Sequence, residues 1–268
     1  MLFGGILLFG SFLQVINGAF NDHFLKVDIK AQHTDEAEIL QKGLILLRKI
    51  PKGLFGNVVF FADILENKNR LNQEVLSVVR EELARVPGRR FKLCANLPYQ
   101  IATPLMSNLL LTDIPPYSMT VTIQKEVGDR IVAKPRTKDY GALAVWMQSQ
   151  CDCRIVRVMP PTVFWPRPKV DSAIVQLVYN EKKRARIPNL RYFHEFVRAL
   201  FFHRRKFIRS VLCSAFKGRL EKDVVDRILD ETRLKGEIRA ETLDVKKILE
   251  LSEKFRVLLP VDKQTLLS

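Results

Sequence analysis

Cysteine is scarce in this chain, four in 268 residues, and Cys94, Cys151, Cys153 and Cys213 follow no regular spacing. That excludes a disulfide framework and fits a reducing compartment, read here as the cytoplasm. Cys151-Asp152-Cys153 has no second Cys/His pair nearby, and His23, His33, His194 and His203 share no ligand spacing, so no metal centre is expected. Charge is missing altogether from residues 1–20. Without a basic start, this apolar stretch is a poor secretory signal. Gly4, Gly5, Gly10, Ser11, Gln14 and Asn17 interrupt it too often for a membrane span. It is left as a buried β/α segment or as a start foreign to the domain that follows. Internal repeats and low-complexity tracts are lacking too.

What the chain has in quantity is positive charge. Lys+Arg 44 against Asp+Glu 29 gives +15 and a pI near 9.8. The excess points to a polyanionic partner, with an anionic membrane as the competing reading. It concentrates in residues 182–219, which hold twelve Lys/Arg and one acidic residue, Glu195. Tyr192, Phe193, Phe196, Phe201, Phe202, Phe207 and Phe216 are interleaved with those cations. Such a mixture describes packed helix with one cationic side. With 47% hydrophobic residues the chain can bury a core, and its length suits one large or two modest domains.

Periodicity divides the chain. Residues 58–61 read as strand, and 73–84 as a helix with Val75, Leu76, Val78, Val79 and Leu83 at helical spacing. Residues 91–95 and 119–123 read as strands, 103–111 as a helix between them, 128–133 and 141–150 as short helices. Late strands fall at 154–158 and 173–179. Alternation at this rhythm argues for an α/β domain with a mainly parallel sheet. After residue 180 only helical patterns recur, at 190–215, 221–231 and 245–255. The expected division is a divergent segment 1–53, an α/β core 54–183 and a helical domain 184–268.

Asn96-Leu97-Pro98-Tyr99 is the most informative segment. It stands at the carboxyl end of a strand, where open α/β sheets put their ligands. The Asn96 side-chain oxygen and the Leu97 carbonyl can both accept from an –NH₂ group, drawing its nitrogen toward sp³ and freeing the lone pair. Pro98 fixes the backbone, and the Tyr99 ring offers a face for a flipped base. This is chemistry for methyl transfer to an exocyclic amine. The same four residues also suit a plain strand–turn–helix junction.

Further segments decide between these. Residues 164–173, Phe-Trp-Pro-Arg-Pro-Lys-Val-Asp-Ser-Ala, form a loop running into a strand. Together with Asn96-Leu97-Pro98-Tyr99, Gln124-Lys125-Glu126-Val127, Tyr140-Gly141-Ala142-Leu143 and Phe202-His203-Arg204-Arg205-Lys206, they closely resemble the small-subunit ribosomal RNA adenine N6-dimethyltransferase family. The resemblance runs from about residue 57 to 255. It implies a Rossmann-like, S-adenosylmethionine-dependent methyltransferase sheet followed by a small all-helical domain. The implied activity is N6-dimethylation of adjacent adenosines in a 3′-terminal hairpin of small-subunit rRNA during ribosome biogenesis. The implied partner is the pre-30S particle, the chain a monomer, and no membrane is involved.

Carried over by position, Asn96 and the Leu97 carbonyl orient the adenine amine, Pro98 sets the turn, and Tyr99 and Phe164 sandwich the flipped ring. Asp63 and Ile64 receive the cofactor's adenine, with Asn96 bordering the cofactor as well. Arg204, Arg205, Lys206 and Arg209 grip rRNA phosphates, positioning the substrate without specifying it. Lys169 counts with them, although an ion pair with Asp171 that holds the loop is the expected arrangement. Displacement at a sulfonium needs alignment more than acid–base machinery, so no general base is assigned.

One departure stands out. The family's Gly-rich turn after its first strand, which lets backbone approach the cofactor, has no counterpart ahead of Asp63. The acidic residue for the ribose hydroxyls has Asp28 as its one candidate. Segment 1–53 therefore reads as truncated, replaced or frame-altered. The alternative function is a catalytically impaired rRNA-binding or ribosome-assembly protein.

Overall fold

Residues 91–95 and 118–123 are buried without a break, polar Lys92, Ser118, Thr120 and Thr122 among them, and the computed structural model sets them at the centre of a sheet. The structure describes residues 24–30, 44–48, 57–67, 70–165 and 167–260. The expectations for residues 1–20 lie outside that set, as does most of the divergent segment. The strands are β1 (Phe24–Lys30), β2 (Leu44–Arg48), β3 (Asn57–Asp63), β4 (Leu65–Asn67), β5 (Arg70–Leu71), β6 (Arg90–Asn96), β7 (Ser118–Gln124), β8 (Cys151–Met159) and β9 (Ser172–Tyr179). The helices are α1 (Gln73–Ala84), α2 (Tyr99–Leu109), α3 (Lys125–Val132), α4 (Ala142–Gln148), α5 (Glu181–Arg184), α6 (Leu190–Phe202), α7 (Ile208–Ala215), α8 (Lys222–Glu231) and α9 (Val245–Val257).

Seven strands form one sheet in the order β3-β2-β1-β6-β7-β9-β8, and β4 pairs with β5 apart from it. Its centre is parallel, β1 with β6 and β6 with β7, while β1–β2, β2–β3 and β7–β9 are antiparallel. The sheet is therefore mixed rather than mainly parallel. β7 and β9 pair across 47 intervening residues, and no short-range pattern encodes the direction of that pairing. Leu93, Val121 and Ile123 are fully enclosed, as strands covered on both faces must be.

Above this centre α2 buries Ala102, Leu105, Met106 and Leu109, a spacing that keeps one helical stripe on the core. α2 begins at Tyr99, four residues ahead of the expected start. Pro104 sits inside the helix. Its missing N–H leaves the Gln100 carbonyl without a helical donor, and Gln100 is exposed, so water can serve instead. Pro98, at φ −55° and ψ 133°, directs the chain from the strand into the helix.

The chain forms two compact units. Among the described residues, one comprises those up to 128 with 153–179; the other comprises 129–152 and 180–260. The expected linear boundary at 183/184 is thus replaced by crossings within α3 and near the start of β8. The reason is packing. α4 buries Ala144, Val145, Trp146 and Met147, and the Trp146 ring meets Phe193 and His194 of α6 at 6.3 and 4.5 Å between centroids.

In this helical unit Phe196, Phe216 and Phe255 form the core, the last two stacked at 4.5 Å and 20°. The expected helix 190–215 is broken: α6 ends at Phe202 and α7 starts at Ile208. The first-turn donors of α7 are bound from elsewhere, Ile208 N–H by the Ile238 carbonyl at 2.7 Å and Arg209 N–H by the Gly236 carbonyl at 3.2 Å. Satisfied in this way, they make no bonds to a preceding helical turn. Among the described residues no helix is long and apolar enough to cross a membrane.

Candidate active site

Four strand ends share one edge of the sheet. β1, β6 and β7 run parallel, and β3, twice reversed through β2, points the same way. Asn96 closes β6 and is exposed, while Leu97 after it is 2% exposed. Leu97 N–H donates to the Thr122 carbonyl at 3.1 Å, carrying the β6–β7 ladder one rung past the strand. With its amide fixed and its side chain buried, Leu97 holds its backbone in a single setting. Among the described residues neither its carbonyl nor the Asn96 amide has a hydrogen-bond partner, so both oxygens remain available to an amine donor.

Tyr99, half-buried at the first position of α2, is fastened by its phenol to the Ser172 hydroxyl at 3.0 Å. Ser172 opens β9, opposite Gln124 of β7. Just ahead of it, the Asp171 carbonyl accepts from Lys125 N–H at 2.9 Å. The loop that Phe164 opens therefore ends on the same sheet edge as Asn96. Phe164 is half-buried with extended backbone, and its N–H is held by the Pro161 carbonyl at 3.2 Å. Asn96, Leu97, Pro98 and Tyr99 are thus contiguous at the end of the sheet, with the Phe164 loop tied to Tyr99 through Ser172. Sequence reading passed over Ser172 and Thr122; the signal for the first stood in the Val170-Asp171-Ser172 run.

Asp63 is the last residue of β3. Register aligns it with Leu44 of β2, and Leu44 with Lys30 of β1, one rung beyond the Ile29–Ala95 pair. Asp63 and Asn96 therefore stand in one row, three strands apart, about 14 Å at the usual inter-strand spacing. Ile64 is buried, and its carbonyl accepts from Asn72 N–H at 3.0 Å. Asp28 needs correction. It lies inside β1, level with Cys94, and not after a second strand, because pairing with β6 continues past it through Ile29.

The expected phosphate-gripping cations divide. In the helical unit Arg204 to Lys206 occupy the exposed turn after α6, with Phe202 and Phe207 exposed on either side, 79% and 52%. Arg204 is paired with Glu241 at 2.6 Å and donates to the Thr137 carbonyl at 3.3 Å. Arg209 grips Asp226 through two bonds of 2.5 and 2.7 Å. Arg205 and Lys206 have no such partner among the described residues. Two clefts of about 490 and 530 Å³ in this unit share Arg209, Lys235 and Gly236; they are open hollows far in character from an enclosed ligand site. In the sheet unit Lys169 is exposed and forms no ion pair with Asp171. Here the expectation fails because backbone anchoring of Asp171 on Lys125 already holds the loop, leaving both side chains in solvent.

A mixed α/β sheet with a parallel centre, and a polar site at the carboxyl ends of its strands, defines a Rossmann-like methyltransferase fold. The chain belongs to the ribosomal RNA adenine dimethylase family, whose model matches residues 62–251. It is 42% identical over 163 residues to ribosomal RNA small subunit methyltransferase A of Clostridium acetobutylicum, covering 60% of this chain and 58% of that protein. With the Bacillus cereus protein of the same name it shares 38% identity over 199 residues, 74% of this chain and 66% of the other. The chain therefore spans under two thirds of the length of these relatives. Among solved structures, a dimethyladenosine transferase from Plasmodium falciparum matches with a TM-score of 0.55 at 20% identity, over 70% of this chain and 80% of that one, a likeness of fold.

Proposed function

We propose that this chain transfers methyl groups from S-adenosylmethionine to the N6 amines of adjacent adenosines in a 3′-terminal hairpin of small-subunit rRNA. It would act in the cytoplasm, as a monomer, on the pre-30S particle. The observation that carries the reading is the Asn96–Tyr99 segment at the open end of β6, with two acceptor oxygens that have no partner among the described residues and the aromatic ring tethered.

The amine nitrogen gains positive charge as its new bond forms. Oxygen dipoles of Asn96 and Leu97, the second held in place by its backbone before the reaction, oppose that charge. Tyr99 and Phe164 hold the flipped ring by its faces, so that the nitrogen is presented in line. At the far end of the strand row Asp63 offers a carboxylate suited to the cofactor's adenine amine, and Asn96 borders its reactive end. These two fit the ends of the cofactor; the sulfonium supplies an activated methyl group when bound. The proton lost from the amine passes to solvent.

The test is calorimetric titration of the full chain with S-adenosylmethionine, followed by mass-spectrometric assay of undermethylated small-subunit particles for N6,N6-dimethyladenosine. Heat of binding and appearance of the modified base are expected. Asn96→Ala should lower turnover about 100-fold or more. Absence of heat and of thermal shift at millimolar cofactor would sink the enzyme reading. Retained rRNA affinity in that case would leave a non-catalytic rRNA-binding protein.

A further inference from the structure

Trp165 is 82% exposed, more than any other large apolar side chain among the described residues. The chain's other tryptophan, Trp146, is 2% exposed and packed on His194. An indole left in water keeps both faces of a large π-system available. Its carrier is held at both ends: Phe164 N–H is bound by the Pro161 carbonyl at 3.2 Å and the Asp171 carbonyl by Lys125 N–H at 2.9 Å. The surroundings along the chain are cationic. Residues 153–170 contain no acidic side chain, and Arg154, Arg157, Arg167 and Lys169 are all exposed. Arg154 is engaged by Gln176 at 2.7 and 2.9 Å, whereas Arg157, Arg167 and Lys169 make no ion pair among the described residues.

One solvent-facing indole, with three exposed cations within eight residues of it along the chain that make no ion pair among the described residues, matches both parts of a nucleotide, a π-face and a phosphate. Asp171, which directly follows this stretch, is an exposed carboxylate, too little by itself to meet a basic protein surface. We propose that Trp165 is a second stacking platform, taking an unpaired RNA base next to the target nucleotide while Arg157, Arg167 and Lys169 meet the phosphates of that strand. The proposal rests on the RNA-directed function above and adds a subsite to it.

Because Trp146 is buried, acrylamide-accessible emission of the full chain comes from Trp165. Titration with a single-stranded oligoadenylate at low salt is expected to quench and shield that emission. An abasic strand of equal length, offering phosphates alone, is expected to bind without changing it. Trp165→Ala should weaken oligoadenylate binding about 5- to 150-fold and leave the abasic strand unaffected; Trp165→Phe, which keeps a ring, should recover most of the loss. As the side chain is exposed, neither variant removes core packing. Equal quenching by both strands, or unchanged oligoadenylate affinity in Trp165→Ala, overturns the platform and leaves the RNA-directed function standing. Shielding by anionic phospholipid vesicles and by neither strand overturns it in favour of a membrane surface. If neither strand binds at all, the RNA-directed function falls first and the platform with it.

Discussion

Tyr99 and Ser172 lie 73 residues apart, and the 3.0 Å bond between their hydroxyls ties the start of α2 to the end of the Phe164 loop. Ser172 is 1% exposed, so its hydroxyl has no water to replace a lost partner. Tyr99→Phe keeps the stacking ring and removes only the tether; Ser172→Ala removes the tether from the other side. Each should lower single-turnover methyl transfer by about 3- to 10-fold. The double variant should be no worse than either single one, and additive losses would show that the hydroxyls act separately. The cations divide on similar grounds. Arg209 is committed to Asp226, whereas Arg205 and Lys206 pair with no carboxylate among the described residues. Removing Arg205 should reduce the slope of log affinity for rRNA against log salt by about 0.7 to 0.9. Arg209→Ala should leave that slope unchanged, and fluorescence anisotropy at several salt concentrations reads both.

At the scale of elements, Gly128 shows how closely α3 lies on β9. A Cβ there would stand 3.0 Å from Val175 Cγ2 and 3.4 Å from Ala173 Cβ. Alanine would gain roughly 0.8–1 kcal/mol of helix propensity, but overpacking against a fully enclosed, β-branched Val175 costs about 1–3 kcal/mol. Gly128→Ala should therefore lower stability by about 1 kcal/mol, measured by urea denaturation; a stabilised variant would mean that β9 yields. Elements of this kind were legible where a local period carries them. α1 matches its expected range, with Asn72 capping it through a 2.9 Å bond from Glu74 N–H. The break between α6 and α7 was not legible, because the groups that end it, the carbonyls of Gly236 and Ile238, belong to a distant segment. For the site, Asn96–Tyr99 could be read directly, since backbone and side chain act within four adjacent residues. The bond of Tyr99 to Ser172 and the pairing of Arg204 with Glu241 could not, since each joins residues that only the fold brings together.

For the molecule as a whole, sequence periodicity separated sheet from helices but assigned residues 129–152 to the sheet, where packing joins them to the helices. That junction carries a titratable group. His194 lies against Trp146, and burial, reinforced by the Arg198 charge, pushes its imidazole down to about 4 from an ordinary 6.5. Between those values the unfolded chain takes up a proton that the folded chain refuses. Stability is therefore full above about pH 6.5, declines as pH falls toward about 4, and is level with respect to this group below that. The loss is on the order of 3 kcal/mol. Asp113, held low by its bond from Arg80, and Asp152, held low by Lys183 and then Asn180, lose their contributions only at more acid pH. The intermediate window thus belongs chiefly to His194. Denaturation midpoints of the wild type should fall across that window, whereas His194→Phe, which keeps a ring against Trp146 and cannot protonate, should show a flatter profile. Equal slopes for the two proteins would mean that the imidazole takes up its proton in the folded state without cost.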